Sequence, residues 1–88
     1  MIQGKLENGF EFTIDDRILD DMELVDAMAE AEGENPLKFS TVILKVLGKE
    51  QRDRLYDILR NEDGRVPIEA VSDAITEILK SAGEDGKN

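Results

Sequence analysis

The sequence predicts an α+β fold: an N-terminal β-hairpin followed by a compact bundle of about four α-helices. Three observations predict it. An Asn8-Gly9 turn signal sits between short runs of alternating apolar residues. Further along, apolar residues recur at helical spacing in groups bounded by helix-start and helix-stop residues, from Asp20 through Gly33, Pro36, Gly48 and Gly64 to Pro67. The whole chain is 88 residues, 40% of them hydrophobic, which is enough for one core and too little for two. One domain over 1–80 is therefore expected, with a flexible acidic tail over 81–88.

The hairpin is expected over 2–14, and its register follows from burial. A two-residue loop at Asn8-Gly9 would put Leu6 on the face opposite Phe10, Phe12 and Ile14, splitting the apolar surface. A three-residue loop, Glu7-Asn8-Gly9, with Gly9 left-handed in a G1 bulge, pairs Leu6 with Phe10. It also gathers Ile2, Leu6, Phe10, Phe12 and Ile14 on one face. A lone hairpin is marginal in water, so that face needs helices or a partner beneath it.

The first helix is expected over about 21–32. Asp20 is the expected N-cap, with Glu23 three residues on completing a capping pattern, and Gly33 is the stop. Met22, Val25, Met28 and Ala29 form its expected inward stripe, with Leu24 at the edge. Asn35-Pro36 opens a second helix over 36–47, capped by Asn35. This element is apolar around most of its circumference: Leu37, Phe39, Val42, Ile43, Leu44, Val46 and Leu47. Gly48 is read as a break before a third helix over 49–61, with Leu55, Ile58 and Leu59 inward. Pro67 starts a fourth over 67–80, where Ile68, Val71, Ile75, Ile78 and Leu79 repeat.

Composition narrows the chemistry. The chain carries 21 acids against 11 bases, a net charge of −10, and no histidine, cysteine or tryptophan. The missing residue types remove the commonest general base, thiol nucleophiles and nearly all zinc sites, so no enzyme activity and no cofactor are expected. Lack of cysteine fits a reducing compartment, and no apolar run approaches a membrane span or a signal-peptide core at the N-terminus. The negative charge repels nucleic acid and anionic membranes. It is unevenly placed: residues 1–35 hold 11 acids and 2 bases, whereas residues 36–60 hold 3 acids and 6 bases. The basic run Lys49, Arg52, Arg54 and Arg60 is interleaved with Glu50, Asp53 and Asp57 at salt-bridge spacing, so it reads as a solvated helix face.

Three sharper readings fail on the residues. Aligning a calcium loop on Gly64 puts Leu59 at its first ligand position and Ala70 at its last, so both key carboxylates are missing. The acidic pairs Asp15-Asp16 and Asp20-Asp21 lie at a helix start, where acids serve as caps and dipole partners. An acyl carrier protein carries its prosthetic group on an Asp-Ser-Leu serine. Here Ser40 lies in Phe39-Ser40-Thr41 and Ser72 in Val71-Ser72-Asp73.

With the elements in order, four strings stand out: Lys5-Leu6-Glu7-Asn8-Gly9-Phe10-Glu11, Asp20-Asp21-Met22-Glu23-Leu24-Val25-Asp26-Ala27, Val46-Leu47-Gly48-Lys49-Glu50-Gln51 and Glu62-Asp63-Gly64-Arg65-Val66-Pro67. Together they resemble the small acidic tail assembly chaperones encoded by siphophages and prophages of Gram-positive bacteria, over roughly residues 3–80. The resemblance implies a non-catalytic protein of the host cell cytoplasm, absent from the mature virion, whose partner is the tape measure protein. It also implies a frameshifted longer form that recruits the major tail protein. Gly86-Lys87-Asn88 is compatible with a slippery heptamer in the coding sequence, as such a longer form requires. Homo-oligomerisation is left open.

A chaperone for an amphipathic helical client needs an apolar groove. The candidate partner-binding residues are Phe10 and Phe12 on the hairpin face and the ridge Phe39, Ile43 and Leu47, each of which could equally be core. The alternative function is an acidic inhibitor of a host protein that mimics nucleic acid, which requires carboxylates of the first and last helices aligned on one surface.

Overall fold

The computed structural model describes residues 1–33, 35 and 37–86. Among these, two strands and three helices follow in order: β1 (Ile2–Lys5), β2 (Glu11–Ile14), α1 (Met22–Glu32), α2 (Lys38–Leu59) and α3 (Ile68–Gly86). The expected bundle of about four helices is thus corrected to three. The difference lies at Gly48, whose φ of 76° and ψ of 167° kink α2 into two segments that abut without a connecting loop. Only glycine occupies that backbone region cheaply.

The hairpin adopts the register that burial favours. Ile2 pairs with Ile14, Gly4 with Phe12 and Lys5 with Glu11. The Leu6 N–H donates to the Phe10 carbonyl at 2.9 Å, closing the three-residue loop, in which Gly9 has φ 94°. Asn8 helps to hold the turn by accepting from the Phe10 N–H at 2.8 Å. Ile2, Phe10, Phe12 and Ile14 are all buried. The Phe12 ring lies over Gly4, where a Cβ would collide with it, so the absence of a side chain at position 4 makes room for the largest side chain opposite.

The outer edge of β2 is closed by side chains of α2. The Gln51 amide accepts from the Thr13 N–H at 2.7 Å and donates to the Thr13 carbonyl at 2.8 Å, imitating a neighbouring strand. It also donates to the Leu47 carbonyl at 2.7 Å, beside the kink. One helical turn on, Arg54 donates to the Glu11 carbonyl at 3.3 Å and lies 5.5 Å from the centre of the Phe10 ring. Gln51→Ala leaves the half-buried Thr13 groups short of partners. It is expected to lower stability by about 1–2 kcal/mol, the range for a lost part-buried hydrogen-bonding group. Urea unfolding checks this, and hydrogen exchange should quicken first at Thr13.

The helices pack on the hairpin with changed phases. Asp21, not Asp20, caps α1: its Oδ1 accepts from the N–H groups of Glu23 at 2.9 Å and Leu24 at 3.4 Å. The inward row of α1 is Leu24, Ala27, Met28 and Ala31, while the expected stripe residues Met22 and Val25 are 67% and 45% exposed. The observed row has i, i+3, i+4, i+7 spacing and seats Leu24 at its centre. On α2, Val42, Ile43, Val46, Leu47 and Leu55 are buried, but Ile58 points outward. On α3 the core row is Val71, Ala74, Ile75, Ile78 and Ala82, and Ile68 is left in solvent.

The element ends also differ from expectation. The second helix begins at Lys38, not at 36, and the expected Pro36 start lies outside the described residues. α3 continues to Gly86, past Ser81 where the tail was expected, because Ala82 still has core to bury against. Of the Gly86-Lys87-Asn88 string, Lys87 and Asn88 lie outside the described residues. No helix among the described residues is long and apolar enough to cross a membrane.

Candidate functional site

An open apolar groove in two compartments lies on either side of Phe39, at the start of α2. The first, of about 270 Å³, is walled by Met28, Ala31 and Glu32 of α1 and by Ile68, Ser72, Ile75, Thr76 and Leu79 of α3, with Phe39 and Val42 between them. The second, of about 350 Å³, runs over Ser40, Ile43, Val66 and Val71 and is bounded by Leu37 and Tyr56. Phe39 and Ile68 belong to both.

Local sequence explains why the groove stays open. Pro67 immediately precedes α3, its carbonyl accepting from the Val71 N–H at 3.2 Å, so Ile68 is the first helical residue and lies beyond the end of the core row that starts at Val71. Leu37 precedes the first turn of α2 and projects past its end. Ile68 is 80% exposed and Leu37 84% exposed, so the rim of the groove carries two aliphatic side chains almost wholly in water. Burying each against a partner is worth about 1.5–3 kcal/mol.

The structure separates the five expected partner-binding residues. Phe39 is half-buried and forms the ridge between the compartments, and Ile43, 2% exposed, is the floor beneath it. Phe10, Phe12 and Leu47 lie in the core and reach no part of the groove. Hydrophobicity alone could not separate these roles, because both kinds of residue look the same in one dimension. Leu37, Tyr56, Val66 and Ile68 were not among the candidates. The usable signal was position, since apolar residues at the first turn after an N-terminal proline or cap often extend past the packed row.

The charges are arranged around this opening and not inside it. Apart from Glu32 and Tyr56, the side chains that line it are not ionisable. The basic residues of α2 are largely taken up by the protein's own acids. Lys45 meets Asp21 at 3.5 Å and Lys38 meets Glu30 at 3.8 Å, tying α2 to α1. Within α2, Lys49 and Arg52 converge on Asp53 at 3.2 and 2.9 Å, and Arg60 meets Asp57 at 3.3 Å. Hydrogen bonds from Arg52 and then Lys49 hold the Asp53 carboxyl below its ordinary range. Asp15 is lowered as well, first by the Arg17 backbone N–H at 2.8 Å. Both carboxylates lie at the surface, and the Asp53 arrangement adjoins the groove, since Arg52 also lies 5.7 Å from the centre of the Tyr56 ring.

The turn once comparable to a calcium loop is closed on itself. Asn61 Oδ1 accepts from the N–H groups of Asp63 and Arg65 at 3.2 and 3.1 Å, and Gly64 takes φ 88°. Among the described residues no group of three or more potential ligands is placed to hold a metal ion. Comparison with protein families, curated proteins and solved structures finds no match to this chain.

Proposed function

We propose that the chain is a non-catalytic tail assembly chaperone of a phage or prophage, which holds the tape measure protein soluble in the host cytoplasm until the tail tube forms around it. The observation that carries this reading is the open apolar groove, whose rim exposes Leu37 and Ile68 at 84% and 80%. A groove of this kind takes the apolar side of an amphipathic helix, with anchors entering on either side of Phe39. The net charge of −10 keeps such a binder dispersed and speeds its encounter with a basic client. In this reading the chaperone leaves the client before the virion matures, and a longer form carries the link to the major tail protein.

Co-expression with the long protein encoded downstream tests the reading. The client is expected in the soluble fraction with this chain and in the pellet without it. Equal insolubility in both cases would sink the proposal. Leu37→Asp with Ile68→Asp touches no core position and is expected to weaken client binding by about 2 kcal/mol or more, roughly thirtyfold. The alternative of a nucleic-acid mimic is less well supported, because exposed Met22 and Val25 interrupt the acidic surface of α1.

A further inference from the structure

We propose that the outer face of α1 is a second docking surface, separate from the groove, and that its occupant is a cationic amphipathic helix. α1 is apolar on two sides. Its inner row, centred on Leu24, turns to the core. At 3.6 residues per turn, Met22, Val25 and Ala29 form a second row on the opposite side, at i, i+3, i+7 spacing. Met22 is 67% and Val25 45% exposed, and α1 packs chiefly against α2, which leaves that row uncovered. A surface helix needs one apolar stripe, and a helix with two is suited to two neighbours.

Charge selects the second neighbour. Residues 15–32 contain eight acids and one base, Arg17. From α2, Lys45 answers Asp21 and Lys38 answers Glu30. Among the described residues, Glu23 and Asp26 have no base within ion-pair distance, and they lie along one side of the outer row. A second copy of the chain would bring the same carboxylates face to face, and nucleic acid would be repelled as strongly. A helix with apolar anchors at matching spacing and Lys or Arg beside them satisfies both the stripe and its acidic side. The eleven residues of α1 offer about 16 Å, or three turns, for such a contact. The unbranched side chain of Met22 adapts to varied anchors. This surface does not depend on the groove or on the identity of its client.

Three labelled synthetic peptides of about 14 residues, long enough to span α1, test the proposal by fluorescence anisotropy with the full chain. One places Leu on a single helical stripe flanked by Lys, the second replaces each Lys by Glu, and the third scrambles the first so that the stripe is lost. The Lys peptide alone is expected to bind, and more weakly as salt rises. Met22→Ser with Val25→Ser, which leaves the charge untouched, is expected to weaken it tenfold or more. Glu23→Gln with Asp26→Asn is expected to flatten the salt dependence, and all of these comparisons are made in a Leu37→Asp, Ile68→Asp background that closes the groove to the peptide. The proposal is overturned if the Lys peptide does not bind in that background, if the scrambled peptide binds equally well, or if the serine variant binds as its parent does. Circular dichroism confirms that each variant is folded.

Discussion

Phe10→Ala is expected to destabilise the fold strongly and to lower its melting temperature by more than about 10 °C. Phe10 is fully buried where the hairpin loop meets the helices, stacked against Phe12 at 6.3 Å between ring centres and covered by Arg54. Truncating a buried phenylalanine costs about 3–5 kcal/mol. A chain of 88 residues has a total stability of roughly 4–13 kcal/mol at the usual value per residue, so the loss takes about a quarter of the margin at the high end and all of it at the low end. Phe10→Leu keeps much of the volume and should cost about 1.5 kcal/mol or less, giving a folded comparison. Thermal melts read by circular dichroism check both. A Phe10→Ala protein that melts with the parent would mean that the hairpin is not joined to the helical core.

Gly48→Ala discriminates by sign. In a straight, continuous helix the change would stabilise by about 1 kcal/mol, because alanine is the better helix former. At the observed φ of 76° and ψ of 167°, a Cβ meets nothing within 4 Å, so space is not at issue, but the backbone conformation is costly for any L side chain. The expected result is a loss of about 1–3 kcal/mol. The consequence extends beyond the kink. Straightening α2 would swing the second segment away from the sheet, drawing Gln51 from the edge of β2 and Leu55 from the core. Urea unfolding of the variant is expected to show a lower midpoint, and faster exchange at Thr13 would report the loosened edge. A raised midpoint would contradict the kink.

Local chemistry was the part of the fold that the sequence made legible. The hairpin register followed from the cost of splitting Leu6 from Phe10, and the Asn8-Gly9 turn allowed a solution that kept them together. Helix phases were harder to read. Asp20 and Asp21 are equally good caps in sequence, and choosing the wrong one moves the predicted inner face. The stripe through Met22 and Val25 is no less periodic than the real one through Leu24 and Ala27. Gly48 was recognised as a break, but whether a glycine separates two helices or kinks one depends on how the segments pack, which is tertiary information. The groove was legible only at Phe39 and Ile43. Its rim depends on residues that fall just beyond the packed rows, and nothing in the composition of Leu37 or Ile68 marks them as unburied.

The basic centre of the chain has a different role from the one its sequence suggests. In one dimension it reads as a solvated helix face, which describes Lys49, Arg52 and Arg60 but not the rest. In three dimensions Lys38 and Lys45 hold the acidic helix against α2, while Arg54 lies against Phe10 and the β2 edge. The negative charge that remains faces outward beside the two uncovered apolar surfaces. Attraction over distance and burial at contact are thereby assigned to adjacent groups, which is what the proposed function asks of a binder that captures a client and later releases it.

Site-specific photo-crosslinking during co-expression with the protein encoded downstream tests the central claim most directly. A photoreactive side chain in place of Ile68, at the junction of the two compartments, is expected to crosslink to that client. The same group in place of Gln3, exposed on the hairpin, is expected to give little product. Equal crosslinking at both positions, or none at 68 while the client is held soluble, would contradict the assignment of the groove.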